Sequence, residues 1–464
     1  MLFPTAQFAI FFAIVLFLSW WLMPRQKIWK PFVLLASYVF YATANPKFCL
    51  LLGGITLWNQ GAAKLIHRSA DEAHRKWLTI VAVAGDLLTL GVFKYYAFFT
   101  QDIDRAFHSI GLGLPLPLVT IALPVGVSFF TFQAISYTVD VKRRLIEPAS
   151  TIDAAIYLSF FPHLIAGPIV RAKEFLPQLA TPRDPAKVAA SSGLMLIGLG
   201  LVKKVVLADY LGRVVVDPVF AVPQGYGTPD ILLAAYAYAA QIYCDFSGYT
   251  DMAIGLALLM GYVFPQNFRS PYRATSLGDF WGRWHMTLSR FLRDFLYIPL
   301  GGNRRGRLFT YRNLMITMVL GGLWHGAAWT FVVWGTLHGV GLVVEHFGRS
   351  RGIKLPGWLG WLVTFNFVVL GWIFFRATSI SLAWTFLSRL FVWQSATIWT
   401  VPAVLAVLIV IGLQLAPAKP LEMVQVWAGR LRPVVLGIAF AVLVPFVAAT
   451  VPSQGVPPFI YFRF

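Results

Sequence analysis

The stretch NLMITMVLGGLWHGAAWTFVVWGTLHGVGLVVEH, residues 313–346, decides the fold class. It is almost wholly apolar, and a membrane-spanning helix needs only about 20 such residues. The stretch is therefore too long for one ordinary crossing, and Gly321, Gly322 and Gly326 interrupt it. Broken backbone at membrane depth is tolerated only where protein or a water-filled cavity covers it. We predict two helices, or one broken helix, beside an internal cavity.

Similar apolar stretches recur from one end of the chain to the other. Of its 464 residues 58% are hydrophobic and 12% are charged, whereas soluble domains carry about 25% charged residues. A second long stretch, 229–262, is expected to break at residues 244–248. We therefore predict an all-α polytopic membrane protein, a single integral membrane domain over residues 1–464. About eleven spans are expected, near residues 6–23, 31–55, 77–99, 117–137, 153–170, 190–208, 229–262, 313–346, 358–376, 400–416 and 433–451.

The net charge of +19 comes from 38 basic against 19 acidic residues. The basic residues stand in short clusters between apolar spans, for example at 142–144 and 304–307. This pattern is typical of loops that face anionic lipid head groups. Membrane lipids are thus expected partners, and nucleic acid is not.

The segment that precedes residues 313–346 is only weakly apolar. Residues 279–296 have helical periodicity, with Arg283 and Thr287 on one face and Trp284 and Leu288 on the other. We predict a basic amphipathic helix rich in aromatic residues. Either the membrane interface or the rim of a cavity would accommodate it.

His325 is the strongest catalytic candidate. It lies in the segment GGLWHGAAW, residues 321–329, and an ionisable residue inside a span marks a functional site by default. The flanking glycines allow close approach of neighbouring backbones. Desolvation would keep the imidazole neutral and able to accept a proton, as a general base must. The alternative is a buried histidine hydrogen-bonded between helices, and the residues alone leave both open.

Two further histidines are weaker candidates. His285 projects toward the apolar side of the predicted helix, so it is either a packed side chain or a second polar group at the cavity. His338 would lie about 220° around a continuous helix from His325, so a structural role is expected for it. The chain contains no His-Glu-x-x-His or paired Cys-x-x-Cys pattern. We therefore predict no metal site and no bound cofactor.

Seven motifs spread over the chain resemble those of the membrane-bound O-acyltransferase (MBOAT) family, in its alginate O-acetyltransferase branch. The terminal PFIYF, at 458–462, is similar to the end of this branch as well. The seven are PVGVSFFTFQ at 124–133, FPHLIAGPI at 161–169, YCDFSGYTD at 243–251, PQNFRSPY at 265–272, DFWGRWH at 279–285, YIPLGGN at 297–303 and GLWHG at 322–326.

The resemblance implies an acyltransferase of about eleven membrane helices, with short re-entrant or interfacial helices around a central funnel. The intramembrane catalytic histidine of the family corresponds to His325, and its second histidine to His285. Members of this branch acetylate exported polysaccharides such as alginate, or act in D-alanylation of teichoic acids. They work with extracytoplasmic or carrier partner proteins, and the implied location is the bacterial inner membrane.

The expected reaction transfers acetyl from a thioester donor, acetyl-CoA, to a hydroxyl of an exported polysaccharide or to a residue of a partner that relays it. His325 would act as general base and His285 would position or polarise one reactant. Trp324, Arg283 and Asn267 are the expected substrate-binding residues. Alternatives are a transporter of acyl groups or glycolipid without transferase chemistry, D-alanyl transfer to teichoic acid, and a polyprenyl-linked glycosyltransferase.

Overall fold

The computed structural model describes residues 1–109, 122–416 and 433–450, together with positions 426, 431 and 457. Every regular element within these residues is helical, which confirms the all-α fold class. The terminal motif at 458–462 lies outside the described residues. The chain divides into two compact units, residues 1–189 with 256–265 and residues 190–255 with 266–464. The single domain over residues 1–464 stays a prediction.

The first unit is built from eight α-helices in the described part of the chain. Three of them begin at side chains that satisfy free backbone N–H groups of the first turn. The side chains of Thr5, Asn45 and Ser150 accept hydrogen bonds from the backbone nitrogens of Phe8, Lys47 and Asp153. The helices are α1 Ala6–Leu22, α2 Gln26–Ala42, α3 Pro46–Arg68, α4 Glu72–Ser109, α5 Val127–Lys142, α6 Thr151–Ser159, α7 Phe161–Leu164 and α8 Ala172–Leu179.

The second unit contains the remaining helices, several of them very short, except for the last four residues of the helix Thr228–Leu259, which belong to the first unit. Three π-helical segments, Val202–Ala208, Gly212–Val216 and Arg293–Tyr297, interrupt or extend them. The α-helices are α9 Ala190–Leu201, α10 Asp209–Leu211, α11 Asp217–Ala221, α12 Thr228–Leu259, α13 Leu277–Trp281, α14 Met286–Leu292, α15 Arg307–His325, α16 Trp329–Ser350, α17 Gly357–Arg376, α18 Ile380–Ser388, α19 Val401–Leu415 and α20 Pro433–Thr450.

The expected interruption within residues 229–262 is wrong, because α12 is continuous there. Two of its carboxylates, the buried Asp245 and the partly exposed Asp251, form ion pairs with two lysines of the π-helical segment 202–208. The Nζ of Lys204 lies 2.5 Å from Asp245, and the Nζ of Lys203 lies 2.7 Å from Asp251. A Cβ on Gly248 would lie 2.8 Å from the carbonyl oxygen of Gly200. The polar and glycine residues of this stretch thus serve a close, ion-paired helix contact.

The expected interruption within residues 313–346 is confirmed at Gly326, whereas Gly321 and Gly322 lie inside α15 and do not interrupt it. The chain leaves α15 at His325, runs extended through 326–328 and re-enters a helix at Trp329. Glycines let the two helices pack backbone against backbone. A Cβ on Gly322 would lie 2.3 Å from the Phe331 carbonyl oxygen, and one on Gly335 would lie 2.4 Å from that of Met318. α15 and α16 therefore form a tight helical hairpin.

Two described helical stretches are long and apolar enough to cross a membrane by length and composition, Glu72–Thr100 and Gly357–Arg376. Shorter apolar helices occur at Ala6–Leu22, Ile380–Phe391, Val401–Leu415 and Val434–Val447. The figure of about eleven spans is not confirmed by these lengths and stays a prediction.

Candidate active site

His325 is the last residue of α15 and is almost fully buried, with 4% of its surface exposed. Aromatic rings surround its imidazole. The ring centres of Trp324 and Trp334 both lie 5.1 Å away, and that of Phe375 lies 5.3 Å away. Trp334 meets the imidazole edge-on at 90°. His325 therefore sits at a helix end with its ring fixed by packing.

Gly326, the C-cap residue of α15, has no room for a side chain. A Cβ at this position would lie only 2.0 Å from Cε2 of Phe331. No side chain larger than hydrogen fits there without moving that ring. The glycine that follows His325 is thus required by the close approach of Phe331 in α16, and the hairpin fixes the place of the histidine.

His285 lies in a strained turn rather than in a continuous helix. The predicted helix over 279–296 is wrong, since α13 ends at Trp281 and α14 begins at Met286. His285 has φ 43° and ψ 53°, the left-handed region, which costs a non-glycine residue about 1–2 kcal/mol. Such strain is concentrated at functional sites. The predicted burial is confirmed, because the side chain is fully buried.

Asn267 holds the turn of His285 in place. Its side-chain oxygen lies 3.0 Å from Nδ1 of His285 and accepts hydrogen bonds from the backbone nitrogen and the hydroxyl of Thr287, at 3.2 and 2.9 Å. Its carbonyl oxygen accepts from the backbone nitrogen of Met286. The backbone donor identifies this atom as the amide oxygen, so Nδ1 of His285 must donate to it. In the neutral ring, Nε2 then carries the free lone pair.

Trp324 connects the two histidines. Its ring centre lies 5.1 Å from that of His325 and 6.1 Å from that of His285. Phe246 closes the other side of His285 edge-on at 4.7 Å. The structure thus brings four of the predicted site residues into one buried region: His325, His285, Trp324 and Asn267. Two imidazoles in an aromatic, water-poor setting suit proton transfer to or from a bound hydroxyl.

Residues 119–384 match the family model of the membrane-bound O-acyltransferases. The chain belongs to this family. Both histidines and the whole α15–α16 hairpin lie within the matched residues. Members of the family are membrane-bound enzymes that transfer acyl groups to hydroxyls, so the protein is a membrane-bound O-acyltransferase.

Several curated relatives resemble this acyltransferase over most of its length. The "Probable alginate O-acetylase AlgI" of Pseudomonas aeruginosa is 42% identical, over 83% of this chain and 74% of that protein. The "Peptidoglycan O-acetyltransferase" of Helicobacter pylori is 37% identical, over 82% and 78%. The "Teichoic acid D-alanyltransferase" of Streptococcus thermophilus is 30% identical, over 58% and 74%. The predicted family resemblance is confirmed.

Arg283 stands in the turn between α13 and α14. Its Nε forms an ion pair with Asp279 at 2.7 Å, and one guanidinium nitrogen donates to the Arg269 carbonyl oxygen at 3.3 Å. It therefore ties the turn of His285 to the segment that carries Asn267. Its role in substrate binding stays a prediction.

His338, on α16, is fully buried within an aromatic cluster of the acyltransferase. Its ring centre lies 4.8 Å from that of Trp334 and 5.3 Å from that of Trp281. Neither ring nitrogen has a hydrogen-bond partner within the described residues. Through Trp334 it borders the surroundings of His325, which fits the structural role expected for it.

Sequence reasoning missed three contributors to the site. Thr287 was expected on the polar face of a helix, but it is buried and shares Asn267 with His285. Trp334 and Phe375 form two walls around His325. Helical spacing from His325 does not predict either residue. Trp334 follows the break after His325, and Phe375 belongs to a separate helix, α17. Aromatic residues on both helices were the only signal.

Proposed function

We propose that this protein transfers acetyl from a thioester donor to hydroxyl groups of an exported polysaccharide. The observation that carries the proposal is the pair of buried histidines joined through Trp324 in the matched part of the chain. The relatives of highest identity among those described above are named as O-acetylating enzymes. Acetyl-CoA, whose thioester is an activated acyl donor, is the donor that fits this reaction.

In the proposed step His325 is the general base. It takes the proton of the acceptor hydroxyl as the oxygen attacks the thioester carbonyl, and the tetrahedral intermediate then collapses with loss of the thiolate. The imidazolium returns its proton to the leaving sulfur. General base catalysis of this kind contributes about 10²–10⁴-fold. The packed rings around His325 would hold the imidazole in one orientation and exclude competing water.

His285 is a positioning partner for the acceptor. Because its Nδ1 donates to Asn267, the neutral ring can only accept a hydrogen bond at Nε2. A group of this kind orients a hydroxyl and does not polarise a carbonyl. Of the two roles expected for His285, the hydrogen bonds of the turn therefore favour positioning of the hydroxyl that is acylated.

The remaining parts of the proposal concern the surroundings of the reaction. The protein would cross the bacterial inner membrane about eleven times around a central funnel. Extracytoplasmic partner proteins would carry the acetyl group onward or present the polymer. Trp324 and Arg283 would contact the substrates. Asn267 would contribute to substrate binding indirectly, through the hydrogen bond that holds His285.

Acetyl transfer by the purified protein tests this function. Protein in nanodiscs is given radiolabelled acetyl-CoA and an oligosaccharide of the host exopolysaccharide, and labelled oligosaccharide is measured by mass spectrometry. Transfer by the native protein and its loss in His325→Ala are expected. Equal transfer by both proteins would refute the role of His325. Transfer of D-alanine from its carrier thioester, with none of acetyl, would favour the function named for the Streptococcus thermophilus relative.

A further inference from the structure

A cavity of about 520 Å³ opens in the first unit, far along the chain from the two histidines. Its walls come from the end of α3, the first turn of α4 and the segment that follows α5. Its volume lies in the range of small-molecule sites, about 300–1,000 Å³. The lining residues are His67, Arg75, Val141, Arg144, Leu145, Ile146 and Glu147.

The charged side chains of this cavity are mainly basic. Arg75 and Arg144 line the cavity with one carboxylate, that of Glu147, and His67 adds a further donor. A second carboxylate, that of Glu72, lies outside the lining and is paired with Arg75 and Lys142. Arg75 is held rigidly, since its guanidinium pairs with Glu72 at 3.0 Å and donates to the Lys142 carbonyl oxygen. Arg144 differs, because its exposed guanidinium forms no hydrogen bond or ion pair with any residue that the structure describes, although its charge acts on the Glu72 carboxylate at longer range. Its guanidinium is thus available to a ligand.

Arg144 also has an unusual backbone. Its φ is +58°, in the left-handed region, and its N–H bonds to the Val141 carbonyl while that of Leu145 bonds to the Asp140 carbonyl. These two hydrogen bonds define the helix-ending motif in which glycine normally occupies the left-handed position. An arginine here is strained where glycine would not be. Strain of this kind is retained where a side chain is needed.

A second, smaller cavity of about 280 Å³ shares Ile146 and Glu147 with the first. Apolar side chains dominate its walls, among them Leu176 and Pro177 of α8. A basic cavity beside an apolar one matches a ligand with an anionic head and an apolar body. Basic side chains at the ends of membrane helices contact anionic head groups in this manner.

We propose that Arg144 and its cavity bind the phosphate group of an anionic phospholipid. Arg144 would donate to the phosphate oxygens, Arg75 would supply fixed positive charge, and the smaller cavity would take the apolar part next to the head group. A free phosphate carries the same recognised group but has no apolar body, so it would bind more weakly. This inference does not depend on the proposed acetyl transfer.

Lipid retention by the full-length protein tests the proposal. Native mass spectrometry follows release of phosphatidylglycerol and phosphatidylcholine from the native protein, Arg144→Gly and Arg144→Asn, with Arg143→Gln as the control that removes a neighbouring charge. We expect about tenfold weaker phosphatidylglycerol binding for both Arg144 variants, the value of one charge-assisted hydrogen bond pair. Arg143→Gln should stay within about twofold. Glycine and asparagine both accept a left-handed φ, so the melting temperature should hold or rise.

Three results would overturn the proposal. Equal weakening by Arg143→Gln and by Arg144→Gly would indicate a diffuse basic surface rather than a site. Equal retention of phosphatidylcholine and phosphatidylglycerol by the native protein would show that the cavity does not select for an anionic head group. Full displacement of the lipid by millimolar inorganic phosphate would assign the cavity to a soluble phosphate ligand instead.

Discussion

His325 and His285 lie in the same buried region, but different forces hold them. His325 is placed by packing, because Gly322 and Gly335 let the backbones of α15 and α16 come into contact and Gly326 leaves room for the Phe331 ring. His285 is placed by polar contacts, because Asn267 gathers the donors of its turn around one oxygen. Each such hydrogen bond contributes about 1 kcal/mol net. Together they offset the roughly 1–2 kcal/mol cost of the left-handed backbone of His285.

The two positions should therefore tolerate different substitutions. A packed position fails when volume is added, since a helical hairpin has no room to yield. A hydrogen-bonded turn fails when an acceptor is removed, since the buried donors then stay unpaired. Substitutions of the two kinds should therefore have different consequences for stability and for activity.

The histidines themselves should differ in kinetic effect. We expect His325→Ala to lower kcat by about 10²–10⁴-fold, the value of a lost general base, and to lower the melting temperature through the cavity left among the surrounding rings. His285→Ala should lower kcat less. Adding His285→Ala to the His325→Ala variant should lower kcat by a smaller factor than His285→Ala does in the native protein, because both imidazoles act on one hydroxyl.

Steady-state kinetics of the four proteins measure this coupling directly. Strictly multiplicative effects of the two substitutions would contradict a shared hydroxyl. If His285→Ala lowers kcat as much as His325→Ala does, the roles of general base and positioning group would have to be exchanged between the two histidines.

Added volume should break the packed site. In Gly326→Ala the new methyl would lie 2.0 Å from the ring of Phe331, so the hairpin must open. We expect a loss of about 1–3 kcal/mol in unfolding free energy and at least about tenfold in activity, since His325 moves with the break. Gly412→Ala is the matched control, because no atom lies within 4 Å of its would-be Cβ. Thermal unfolding and activity are measured together, and equal behaviour of both variants would refute the packing argument.

Loss of an acceptor should break the hydrogen-bonded site. Asn267→Ala leaves Nδ1 of His285 and both donors of Thr287 without their shared acceptor. We expect about tenfold lower activity and a destabilisation of about 1–3 kcal/mol. Asn267→Asp keeps an acceptor oxygen at the same place and should retain more activity and more stability than Asn267→Ala. If aspartate proves no better than alanine, the acceptor role assigned to this residue is wrong.

The smallest effect is expected at His338. Phenylalanine fits the cluster of Trp334, Trp281, Phe280 and Phe367 and removes two buried nitrogens that lack partners in the described residues. His338→Phe should change activity by less than about threefold and leave the melting temperature equal or higher. His338→Ala should lower stability through the cavity it creates. A large loss of activity in the phenylalanine variant would give the imidazole a direct part in the reaction.

The all-helical class, an interruption within residues 313–346 and the burial of both histidines could be predicted from the amino-acid sequence alone. Each follows from local chemistry, namely apolar length, glycine at a helix end and an ionisable residue in apolar surroundings. The same reasoning failed at residues 244–248, where Asp245 looked like a break in a helix. The lysine that neutralises it stands 41 positions earlier in the chain, and no local pattern connects the two.

The surroundings of the histidines depend on contacts between segments that are distant in the sequence. The motif NFRSPY, at 267–272, does not tell that Asn267 accepts from a threonine 20 positions later. Nor does helical periodicity indicate that the backbone turns left-handed at His285. Hydrogen bonds and ring contacts between distant segments depend on how helices pack, and packing is the sum of many weak contacts over the whole unit. For this reason the sequence named the reacting groups, and the fold determined how each is oriented.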